Sequence, residues 1–165
     1  MKDHYNILFL CTANSARSIL AEALANAMSG GRLRAYSAGS TPGGRVQPMA
    51  LSVLEEANVG TEGLRSKGWD EFATPDAPHM DIVITVCDKA AGEACPIWPG
   101  APVVAHWGVD DPARAEGDEA QVRRAYQDAL HRLRQRIQLL LSLKPEALER
   151  LALQEQLREI GRTAG

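Results

Sequence analysis

The chain opens with a run of strand length, Tyr5-Asn6-Ile7-Leu8-Phe9-Leu10. After one short turn, apolar residues recur at three- and four-residue spacing: Ile19, Leu20, Ala23, Leu24, Ala27 and Met28. A strand that hands over to an amphipathic helix through seven residues is the first half of a β-α-β unit. The same alternation continues. Arg32 to Tyr36 reads as a second strand, "SAGSTPGGRVQP" as a Gly/Pro-rich loop, and Pro48 to Asn58 as a helix with Met49, Val53, Leu54 and Ala57 on one side. "WDEF" reads as a short helical turn within an otherwise irregular stretch. Asp81 to Val86 is a buried strand ending at Cys87, and Val103-Val104 is the heart of a fourth strand. A long helix is expected over Glu119 to Leu143, with Val122, Tyr126, Leu130, Leu133, Ile137, Leu140 and Leu141 as its apolar stripe. The order β-α-β-α-β-β-α predicts an α/β sandwich around a small parallel sheet.

The turn after the first strand is "CTANSARS", residues 11 to 18. Its small residues let the backbone curl with several N–H groups pointing inward, and such a nest at a helix N-terminus binds anions. Thr12, Ala13, Asn14, Ser15, Ala16 and Arg17 are therefore the expected oxyanion cradle. Arg17 adds a planar fork matched to a tetrahedral oxyanion. The same positive field favours a thiolate at Cys11, and Ser18 can donate a hydrogen bond to it. The loop holds an oxyanion and arms a nucleophile beneath it.

Composition narrows the partners. At 165 residues the chain fits one domain with a single core. A net charge of −3 leaves no basic footprint for nucleic acid, so oxyanion attraction is local to the loop. No apolar run approaches the ~20 residues of a membrane span, and no signal peptide is apparent. The expected compartment is the cytoplasm, where three cysteines are more often chemical than structural. Four scattered histidines without paired cysteines predict no zinc site.

"CTANSARS" resembles the phosphate loop of the low-molecular-weight protein tyrosine phosphatases and of the arsenate reductases built on the same fold. Two further stretches resemble the thioredoxin-coupled arsenate reductases: "VCDKAAGEACP", similar to their redox segment with one residue more between its cysteines, and "AHWGVDDPARAEG", similar to their acid loop. The resemblance covers residue 5 to about 143. It divides the chain into a phosphatase-like domain, 1–143, and a C-terminal helical extension, 144–165. The extension is expected to pack back on the core, with an oligomer contact as the rival use.

The resemblance implies a four-stranded parallel sheet in the order 2-1-3-4. First and third strands are then neighbours, about 5 Å apart, and Cys11 and Cys87 follow them at the same edge. It implies arsenate or a phosphate-like oxyanion as ligand, with a three-thiol relay from Cys11 to Cys87 to Cys95. No cofactor is bound; thioredoxin supplies electrons, with glutaredoxin or a low-molecular-weight thiol as alternatives. Asp111, ahead of Pro112, matches the general acid. Phosphotyrosine phosphatases usually carry an aromatic just after that Asp-Pro pair, where this chain has Ala113 and Arg114. Trp107 is expected to pack the loop, and His106 to have a structural partner. Arsenate reductases of this kind can bind potassium through an asparagine, a glutamate, a serine and an aspartate. Asn14, Glu22 and Ser37 match the first three and Lys67 falls at the fourth, so a lysine ammonium is expected in place of a metal.

Overall fold

The computed structural model describes residues 4–86, 102–143 and 157–161. Four parallel strands form one sheet in the order β2-β1-β3-β4: β1 Tyr5–Cys11, β2 Leu33–Gly39, β3 Ile82–Thr85 and β4 Val103–His106. The expected 2-1-3-4 order is present. Among the described residues three longer helices follow in turn: α1 Arg17–Met28, α2 Pro48–Glu56 and α3 Glu119–Leu141.

Strand alternation decides the layers. Ile7 and Phe9 of β1 point into the larger core, which takes in α1, α2, α3 and the turn 157–161. Leu8 and Leu10 point to the opposite face, against Phe72, Met80 and Val83. Among the described residues that second face is covered by the 3-10 helix Trp69–Phe72, the expected "WDEF" turn. Both faces of β1 are dry, which explains why its sequence is a continuous apolar run rather than an alternation.

The element ends differ from expectation at three places. β2 continues through Ser37, Ala38 and Gly39, which pair with Phe9, Leu10 and Cys11. In the sequence these small residues look like the start of a loop; in the structure they are small because the phosphate loop crosses directly over them. α2 stops at Glu56 because Asn58 takes a positive φ of 60°. α3 ends at Leu141, two residues early, and begins in a capping box between Asp118 and Gln121. Its buried face adds Ala129 and Arg136 to the predicted stripe, while Val122 and Leu141 are only half-buried.

Among the described residues no helix is long and apolar enough to cross a membrane.

Candidate active site

The loop between β1 and α1 owes its shape to where its carbonyls go. The carbonyl of Cys11 accepts from Ser40 N, Thr12 from Thr41 N, Ala13 from Gly43 N and Ser66 Oγ, and Ser15 from Gln47 N. The chain after β2 thus draws the loop's oxygens outward, leaving its N–H groups to face the concave side. α1 starts at Arg17 with no side-chain cap, so its first N–H groups also remain available to a ligand. Gly39 makes the crossing possible. A Cβ there would lie 2.4 Å from Thr12 O and 3.0 Å from Asn14 N, both backbone atoms.

Asn14 is the hinge of the loop, held at φ 49° in the left-handed region that asparagine tolerates. Its backbone N–H and both ends of its side-chain amide are used. Its Oδ1 accepts from Lys67 N at 2.9 Å, its Nδ2 donates to Ser18 Oγ at 2.7 Å, and its backbone N–H points at Cys11 Sγ at 3.2 Å. Cys11 is 3% exposed, with Ser18 Oγ at 2.9 Å. The sulfur therefore meets two hydrogen-bonding groups in a buried position at the mouth of the sheet.

An open cleft lies above the sulfur. Cys11, Thr12, Ala13, Ser15, Ala16 and Arg17 form one wall, and Gly108 to Asp111 with Arg114 form the other. Arg17 connects the walls: its guanidinium donates to Val109 O at 3.0 Å and lies 3.5 Å from Asp111 Oδ2. Asp111 Oδ1 caps the short 3-10 helix Pro112–Arg114 by accepting from Ala113 N. The carboxyl thus divides its oxygens, one on the cap and one toward Arg17. Arg114 is exposed at the rim, 3.9 Å from Asp111. Burial, and then the negative charge of Asp111, raise the pKa of the Tyr126 phenol behind this loop. Asp110 is exposed. Among the described residues the cleft lining contains no aromatic side chain.

Trp107 packs as expected: it is fully buried, its ring centroid 6.2 Å from that of Phe9. His106 Nδ1 is 2.7 Å from Thr85 Oγ1.

Beneath the loop, Lys67 is buried rather than directed to solvent. Its ammonium lies 3.6 Å from Glu22 Oε1 and 3.5 Å from Ser37 Oγ, and donates to Arg65 O at 2.9 Å. Ser37 Oγ in turn donates to Glu22 at 2.6 Å. Asn14 joins this group through the Lys67 backbone, not its side chain. Burial lowers the Lys67 pKa, and Glu22 opposes that shift. With an ammonium already against both oxygens, this set does not fit an added metal ion. Among the described residues no cluster of three or more His, Cys, Asp or Glu is placed to hold one.

Cys87 and Cys95 lie outside the described residues. Val86, the residue before Cys87, donates its N–H to Leu10 O at 2.8 Å, beside Cys11.

Three contributors escaped the sequence reading. Gly39 carries a signal in hindsight, a glycine closing a strand ahead of a Gly/Pro loop. Ser66 and Arg136 carry none, because each acts on a carbonyl more than 25 residues away: Ser66 on Ala13 and Arg136, at 2.7 Å, on Gly108.

A parallel sheet with a cysteine-bearing anion loop at its carboxyl edge is the architecture of a phosphatase-like oxyanion enzyme. The family described as low molecular weight phosphotyrosine protein phosphatase matches residues 6–156, and the chain belongs to it. Within that family it is similar to arsenate reductases. The arsenate reductase of Bacillus licheniformis is 40% identical over 116 residues, 70% of this chain and 79% of that protein. That of Bacillus subtilis strain 168 is 37% identical over 115 residues, with the same coverage. Among solved structures, an arsenate reductase from Archaeoglobus fulgidus superposes with a TM-score of 0.59 at 30% identity, over 80% of this chain and 98% of that one. The thioredoxin-dependent arsenate reductase of Corynebacterium glutamicum gives 0.57 at 26% identity, over 84% of this chain; the match spans 64% of that longer chain.

Proposed function

We propose that the protein reduces arsenate to arsenite through a relay of three thiols, with thioredoxin as the final reductant. The observation that carries this reading is the convergence on Cys11 Sγ of Ser18 Oγ and Asn14 N, at 2.9 and 3.2 Å, beneath a cleft walled by Arg17 and Asp111. The arsenate reductase relatives support the choice of substrate, and the thioredoxin-dependent neighbour supports the choice of reductant.

Arsenate sits on the inward N–H groups of residues 12 to 17, held by Arg17. Cys11 attacks arsenic, and Asp111 gives a proton to the departing hydroxide, which leaves as water. Cys87 then attacks the Cys11 sulfur. The electron pair of the sulfur–arsenic bond stays on arsenic, which departs as arsenite, and a Cys11–Cys87 disulfide forms. Cys95 attacks Cys87, returning Cys11 to the thiol, and thioredoxin reduces the Cys87–Cys95 disulfide. Lys67 supplies a fixed positive charge under the loop, in the place where the family resemblance implies a potassium ion. Residues 144–165 are read as an extension of the catalytic domain.

Ester hydrolysis needs only Cys11, Arg17, Asp111 and water, so weak phosphatase activity is expected beside the reduction. Ala113 and Arg114, standing where an aromatic would follow the Asp-Pro pair, favour a small inorganic oxyanion over an aryl phosphate. The test is arsenate-dependent NADPH consumption with thioredoxin and its reductase, set against glutaredoxin and its own. Turnover with thioredoxin is expected; turnover with glutaredoxin alone would replace the reductant, and turnover with neither would remove the reading.

A further inference from the structure

The loop that carries Asp111 is held by a hydrogen bond to its backbone at each residue from 107 to 109. Trp107 N donates to Thr85 O at 2.7 Å and Val109 N to Val86 O at 3.1 Å. Gly108 O accepts from Arg136 and Val109 O from Arg17. A fifth constraint comes from the far end of the chain. Residues 157–161 form a helical turn whose Leu157 and Ile160 are buried in the main core. Leu157 O accepts the indole N–H of Trp107 at 3.1 Å. Gly161 lies so close to the chain at His106 that a Cβ there would fall 2.5 Å from His106 O and 3.1 Å from the Trp107 ring. This turn falls beyond residues 6–156, the span that matches the family.

We propose that the turn 157–161 is a positioning element of the active site, a brace that seats Trp107 and thereby fixes the height of Asp111 over Cys11. Trp107 is the positioning residue, four positions before the acid. Its ring packs on Phe9, two residues before Cys11, and its N–H is anchored on the brace, so one side chain couples the C-terminal turn to both walls of the cleft. A glycine is required at 161 because the turn must touch the backbone at His106. The role of Asp111 rests on the function proposed above; the brace itself does not.

Gly161→Ala tests this, with Trp107→Phe as a second variant that keeps a ring but removes the N–H donor. Amide hydrogen exchange is the first readout. The amides of Trp107 and Val109 are expected to exchange about tenfold faster, while Thr41 and Gly43, which hold the phosphate loop, stay within about twofold. The second readout is hydrolysis of two esters. Phenyl phosphate needs its leaving oxygen protonated and is expected to slow about tenfold; para-nitrophenyl phosphate, a far better leaving group, less than about threefold. Unchanged exchange at Trp107 and Val109 overturns the proposal, as does an equal rise at all four amides or an equal loss on both esters. Exchange needs no turnover and neither ester contains arsenic, so a failure of arsenate reduction and a failure of the brace are read separately. Should the esters prove too slow to follow, exchange alone decides.

Discussion

Ser18 Oγ lies 2.9 Å from Cys11 Sγ, and once Cys11 is a thiolate the hydrogen between them is the serine's, because the sulfur can then only accept. Lys67 N can only donate, so the Asn14 atom facing it is the oxygen, which turns the Asn14 amide nitrogen toward Ser18. Ser18 Oγ therefore accepts from Asn14, which leaves its own hydrogen for the Cys11 thiolate. A hydrogen bond to the charged form favours that form. Ser18→Ala removes it. The pH profile of Cys11 alkylation by iodoacetamide is expected to move upward by about one to two units, since a hydrogen bond to a charged group is worth ~1.5–3 kcal/mol. An unmoved profile would mean that Ser18 only packs the loop.

Asp111 faces Arg17 across the cleft at 3.5 Å. Asp111→Asn keeps an oxygen to cap Ala113 N, so the loop is expected to stay in place. Proton donation is lost. The Cys11 step with either arsenate or an aryl phosphate is expected to slow by ~10²–10⁴-fold. Protection of Cys11 from alkylation by phosphate, which reads binding rather than chemistry, is expected to persist.

Gly39 is where β2 passes under the loop. In Gly39→Ala the new methyl meets Thr12 O at 2.4 Å, and neither backbone has a flexible side chain to move aside. The loop is expected to lift and phosphate protection of Cys11 to weaken by about tenfold or more, with the fold retained by circular dichroism. Overpacking of this kind typically costs ~1–3 kcal/mol.

The contrast between Gly39 and Cys11 shows what a sequence can carry. Local pattern was enough for the strand, loop and helix around Cys11, because periodicity and a run of small residues are written in consecutive positions. The sheet order followed from the resemblance of whole segments to a known family. The second surface of the loop was not legible: residues 39 to 47, 66 and 67 press on it from β2 and beyond, and apart from the Lys67 bond to the Asn14 side chain their hydrogen bonds to it are to backbone carbonyls, which every residue type provides. Trp107 was legible as packing, but its partner Leu157 was not. A backbone acceptor 50 residues away leaves no mark on the sequence.

The proposed relay assigns the second and third thiols work that variants separate from that of the first. Cys87→Ser is expected to abolish arsenate turnover and spare ester hydrolysis, in which water completes what Cys11 began. Cys95→Ser is expected to release about one arsenite per enzyme and stop at a Cys11–Cys87 disulfide, visible by mass spectrometry of a non-reducing digest. If "CDKAAGEAC" is helical when reduced, its eight steps separate the two Cα atoms by about 12 Å. A disulfide needs roughly 4.4–6.8 Å. Hydrogen exchange in residues 87–95 is therefore expected to rise on oxidation. Sustained thioredoxin-dependent turnover by Cys95→Ser would remove the third thiol from the relay.

Lys67 and Glu22 form the charged pair under the loop, 3.6 Å apart with both side chains largely buried. Lys67→Met leaves Glu22 with Ser37 but without a cation, and an unpaired buried acceptor costs about 1–3 kcal/mol. Breaking one half of such a pair is worse than replacing both. Glu22→Gln in the Lys67→Met background is therefore expected to recover most of the loss in urea unfolding. The pH dependence has a definite sign. Burial holds the folded pKa of Lys67 below the ~10.4 of an unfolded lysine. Between those two values the unfolded chain binds more protons than the folded one, so the Lys67 contribution to stability rises with pH through that window and is lowest below it. Lys67→Met is expected to flatten that alkaline slope. Cations give the decisive comparison. At matched ionic strength the unaltered protein is expected to turn over equally in sodium and potassium salts, because the ammonium already stands against Glu22 and Ser37. Lys67→Met opens that place, and its activity is expected to become dependent on the alkali cation supplied. Strong specific activation of the unaltered protein by potassium would show that Lys67 does not take the cation's part.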